Sequence, residues 1–151
     1  MKNILYISLI FFFLFSCNKE KHYSNKLMKG EVWVVTGIQA DGNSLDLYGT
    51  WHILKDKDIY YSVQQALWKN ENEEAVFEWQ FQSKGKKFQL NYVKSCEECE
   101  GATLDELDYS VYDLTGNYEV EKHAAKKMKF ISSSTIGYPG KEVVISISRQ
   151  K

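Results

Sequence analysis

The stretch from residue 76 to residue 92 alternates almost without a break. Phe77, Trp79 and Phe81 take one phase, and Glu78, Gln80 and Gln82 take the other. Lys84-Gly85-Lys86 supplies a turn, after which Phe88, Leu90 and Tyr92 alternate with Gln89, Asn91 and Lys94. A period of two puts successive side chains on opposite faces of a strand. The pattern therefore demands an antiparallel hairpin with one face buried and one face wet.

The rest of the chain reads as more of the same. Residues 31–39, 47–54 and 59–63, with an extended continuation towards Trp68, are rich in β-branched and aromatic side chains. Asp41-Gly42-Asn43 and residues 55–58 are turn chemistry, and residues 70–74 form a polar, acidic loop. Residues 95–108 are a longer loop in which 103–107 could make a helical turn. Residues 109–115, 117–121, 127–133 and 142–149 read as extended. About eight short strands with no long amphipathic helix predict an all-β fold. Closure removes exposed sheet edges, so an antiparallel up-and-down eight-stranded barrel is expected, with a β-sandwich as the alternative. No 20–50-residue repeat is visible.

The N-terminus gives an address. Lys2 is followed by a nearly unbroken apolar run over residues 4–15, ending in Leu14-Phe15-Ser16-Cys17. A charged start, an apolar centre and small residues before a cut describe a secretory signal peptide. The run is shorter than the roughly 20 residues of a membrane span. The Leu-x-Ser-Cys ending resembles the lipobox of bacterial lipoproteins. That resemblance implies diacylglycerol on the Cys17 thiol, cleavage before it, and acylation of the freed amine by a palmitate-type chain. Two or three acyl chains hold a protein on a bilayer where one does not. The expected organisation is a lipoprotein signal peptide over 1–16, a lipidated tether over 17–29 with a helical turn at its end, and a β domain over 30–151. No Asp follows Cys17, and the lipoprotein resemblance then implies a cell-envelope location, lipid-anchored to the outer membrane on its periplasmic or outer face. The processed chain carries 18 basic against 20 acidic residues, a net charge of −2. Such a balance gives no strong overall basic field, so no nucleic-acid partner is expected.

With its strands in place, the chain resembles the small lipocalin-like lipoproteins of Gram-negative bacteria. The residues that carry this are Gly49-Thr50-Trp51 in the second strand and Gly30-Glu31-Val32-Trp33 at the first. Gly116-Asn117-Tyr118-Glu119-Val120 looks like that family's late strands. The resemblance implies a tryptophan closing the barrel floor against a late basic residue, and Arg149, the only arginine, is placed to serve. It also implies a cup for a small hydrophobic molecule.

Trp33, Trp51, Tyr60, Phe77, Trp79, Phe81, Phe88, Tyr92, Tyr112 and Phe130 are the candidates for lining such a cup. The same rings could equally fill the interior as core. Once Cys17 carries lipid, Cys96 and Cys99 remain, and an even remainder in an exported protein fits a disulfide. A metal site and a redox pair are the alternatives. Glu97, Glu98 and Glu100 oppose the thiolate that redox chemistry needs, and zinc needs about four ligands. The acidic loops lack the ligand spacing of a calcium loop. His22, His52 and His123 are scattered and no nucleophile pairs with a base, so neither catalysis nor a cofactor is expected. The expected function is that of a lipid-anchored envelope lipoprotein holding a small hydrophobic ligand. The alternative is a filled barrel that contacts another envelope or secreted protein.

Overall fold

A computed structural model describes residues 19–54, 63–93 and 104–151. Among these residues the fold is a closed antiparallel barrel with helices at its ends. The strands are β1 (Val32–Ala40), β2 (Asn43–Ser44), β3 (Thr50–Ile53), β4 (Gln64–Lys69), β5 (Glu74–Gln82), β6 (Lys87–Val93), β7 (Gly116–His123), β8 (Lys127–Ser132) and β9 (Val143–Arg149). Each of β3 to β8 pairs with the next, and β1 pairs with both β3 and β9, which closes a ring of eight. β2 is a short addition that folds back on the end of β1. The expected eight-stranded up-and-down barrel is therefore the fold.

The alternation that required the hairpin is what fills the barrel. Ala75, Phe77, Trp79 and Phe81 of β5 point inward, and Phe88 and Leu90 of β6 meet them. β9 repeats the pattern with Val143, Ile145 and Ile147. Its next inward-phase position is Arg149, which reaches the rim opposite Trp33. The Arg149 Nη2 donates to the Lys29 carbonyl at 2.8 Å, and the Trp33 Nε1 donates to the Leu27 carbonyl at 2.9 Å. Trp33 and Arg149 are register partners on β1 and β9.

Two segments differ from their expected form. The stretch read as a tether is a 12-residue helix, α1 (Lys19–Gly30), with Leu27 fully buried. It is held where two glycines permit close approach. A Cβ at Gly30 would lie 2.1 Å from the Trp33 Nε1, and one at Gly85 would lie 1.7 Å from the Tyr23 ring. Residues 109–115, expected to be extended, begin inside a second helix, α2 (Glu106–Asp113). Asp105 and Asp108 form a capping box there, each side chain accepting from the other's backbone N–H. Leu107, Val111 and Leu114 follow at helical spacing and are buried.

Strand direction sorts the turns. α1, the β5–β6 turn, the β7–β8 turn and the end of β9 share one end of the barrel. α2, the β4–β5 turn and the loops after β1 and β8 share the other.

Candidate functional site

The inward aromatic rings meet each other across the lumen. Trp51 of β3 lies 6.2 Å, centroid to centroid, from both Phe88 of β6 and Phe130 of β8. In a ring of eight, β3 stands three strands from each of them, near the maximum possible. Phe81 of β5 meets Phe130 at 6.4 Å, again three strands away, and Phe88 stacks on Phe130 at 4.3 Å. Trp79 touches Phe81 and Phe88, while Phe77 touches Trp51 and Trp68. The indole N–H groups of Trp51 and Trp79 are buried without an acceptor among the described residues.

The remaining candidate residues sit elsewhere. Trp33 closes the α1 end. Tyr92 packs edge-on against Tyr112 at 6.2 Å, but Tyr112 lies on α2 and is 47% exposed, outside the lumen. Burial, with the Asp108 carboxylate nearby, pushes the Tyr92 phenol up to about 12. Tyr60, Cys17, Cys96 and Cys99 lie outside the described residues. Among the described residues no group of three His, Cys, Asp or Glu could hold a metal, and no helix is long and apolar enough to cross a membrane.

The α2 end carries features that the sequence did not single out. Tyr48, Tyr109 and Ile136 are large, apolar and about half exposed, like Tyr112. Main-chain bonds from Ile136 to Thr115 and from Gly137 to Asp113 fasten that loop beside α2. The Trp68 Nε1 donates to the Tyr48 carbonyl at 3.1 Å, fixing the loop before β3. Between this loop, the β4–β5 turn and the start of α2 lies a cavity of about 330 Å³, its walls including Asp46, Tyr48, Glu73, Glu106 and Ser110. Glu73 braces it, accepting from the Asn70 Nδ2 at 2.9 Å and from the Glu106 backbone at 3.3 Å. Ten acidic residues and two lysines, Lys69 and Lys141, belong to this end among the described residues. The result is a strongly acidic face studded with tyrosines. Its signal in the sequence is that alternate turns of an up-and-down barrel share an end, and three of the four turns at this end carry a net negative charge among the described residues.

At the α1 end, Tyr23 packs tilted against His123 at 3.8 Å and against Phe81 at 5.9 Å, centroid to centroid. Burial, and secondarily the Lys26 charge, holds the His123 imidazole down to about 4. An open groove of about 470 Å³ lies here, lined by Lys19, His22, Tyr23, Lys26 and His123.

No protein-family model matches the chain, and neither a curated protein nor a solved structure does.

Proposed function

We propose that this chain is a lipid-anchored envelope lipoprotein whose barrel serves as an interaction module, with a non-catalytic role. The ring contacts across the lumen carry the choice. A binder of small hydrophobic molecules needs a cavity of about 300 Å³ or more behind its lining residues. Here Trp51, Phe77, Trp79, Phe81, Phe88 and Phe130 are all committed to one another. Function then falls to the surface. The α2 end offers exposed tyrosines, which supply rigid, amphipathic contact area typical of binding hot spots. Its acidic surround selects a protein partner with a basic face and speeds encounter.

One observation favours the ligand reading instead. A ligand carbonyl entering the middle layer would satisfy the bare indole N–H groups of Trp51 and Trp79.

The test is in-cell photo-crosslinking in the native host, with the reactive group at Tyr109 or at outward-facing Ser146 on β9. The proposal expects one discrete protein adduct from Tyr109, lost in a Glu106→Lys/Tyr112→Ala background, and none from Ser146. Equal labelling from both positions would contradict it.

A further inference from the structure

The charge on this barrel is segregated by end. Away from the α2 end, the described residues hold thirteen Lys or Arg against five Glu, a net of +8. The α2 end is the mirror of it, with a net of −8. The chain as a whole is nearly neutral at −1, so the asymmetry appears only once the topology stacks alternate turns.

The basic end is built from several elements. Lys19, Lys26 and Lys29 come from α1. Lys84 and Lys86 come from the β5–β6 turn, and Lys122 and Lys126 flank the β7–β8 turn. These elements form one surface. The Lys84 backbone N–H donates to the Glu20 carboxylate at 2.6 Å, Tyr23 packs over Gly85 and against His123, and Arg149 reaches the Lys29 carbonyl.

We infer that this basic end is a docking surface for an anionic bilayer, holding the barrel upright with its acidic, tyrosine-bearing end pointing away. The inference rests on the lipid-anchor reading for its occupant. Cys17 stands two residues before Lys19, so chain geometry limits their separation to about 7 Å. An acylated Cys17 brings this end, and no other, within a Debye length of the lipid phosphates, about 8 Å at physiological salt. Clustered Lys and Arg at that distance are drawn to anionic headgroups, and the opposite end is repelled by them. Because the cations are spread over α1 and two turns, the attraction fixes orientation as well as contact.

The experiment uses the full chain purified from its host's membranes, placed with phosphatidylcholine nanodiscs or with discs containing phosphatidylglycerol. Intact-mass measurement reads the acyl mass on Cys17 independently. Amide hydrogen exchange reads residues 83–86 and 124–126. Exchange there should slow about tenfold in anionic discs relative to neutral ones, and the slowing should vanish in 0.5 M salt. Residues 109–113 should exchange alike in both. Lys19→Glu/Lys86→Glu/Lys126→Glu should remove the slowing, and Lys141→Glu at the far end should leave it intact. Equal exchange in both discs with acyl mass present overturns the docking surface and leaves the anchor standing. Slowing without acyl mass does the reverse. Neither acyl mass nor slowing overturns both.

Discussion

Trp51 and Phe130 are each fully buried and touch across the barrel, so truncating either removes large apolar area and leaves a hole the walls cannot close. Trp51→Ala or Phe130→Ala should cost about 3–5 kcal/mol in denaturant unfolding, with far-UV circular dichroism kept at low denaturant. His123 makes a different prediction at the same scale. Its folded value, about 4, lies below the ordinary histidine value of 6.5. The unfolded chain therefore takes up a proton first as pH falls. The stabilising contribution is whole above about pH 6.5 and is lost progressively down to about pH 4. With allowance for solvent screening of a half-buried ring, the loss is about 1–2 kcal/mol. His123→Phe should flatten thermal-melt midpoints over that window, while wild type declines through it.

At the scale of elements, most strands were legible, while each helix was legible only as a turn at one end. β5 and β6 follow from alternation alone, because a period of two admits no other secondary structure and every aromatic in phase except the half-buried Tyr92 is buried. α1 was hidden by its composition. Its sequence KEKHYSNKLMKG offers few apolar anchors, and these matter only once Trp33, Phe81 and Gly85 form a seat for Leu27 and Tyr23. α2 was hidden by its propensities. Tyr109, Val111 and Tyr112 favour strands locally, and the capping box uses Asp where Glu is the commoner signal. Tertiary burial of Leu107, Val111 and Leu114 overrides both. Leu27→Ala should destabilise by about 2–5 kcal/mol, as a core truncation does and a tether change does not. Asp105→Ala should cost about 1 kcal/mol by loss of the cap. Gly85→Ala, at a φ of +79° and against the Tyr23 ring, should cost more than about 1 kcal/mol. Equilibrium urea unfolding measures all three.

At the scale of the molecule, closure of β1 on β9 does two things at once. It turns every inward aromatic toward the same axis, and it assigns alternate turns to opposite ends. The first makes the candidate lining residues each other's partners. The second gathers charges that are dispersed along the chain into a basic end and an acidic one. Neither consequence could be read residue by residue. Tyr112 shows the limit plainly: its place in an apparent strand suggested a lumen wall, and its helix turns it to the outer face. The most direct test of a lumen filled by its own rings is native mass spectrometry of the full chain, released gently from its own host's membranes. The account predicts the polypeptide with its covalent modifications and nothing else bound. A small molecule retained one to one, and lost only on unfolding, would contradict it.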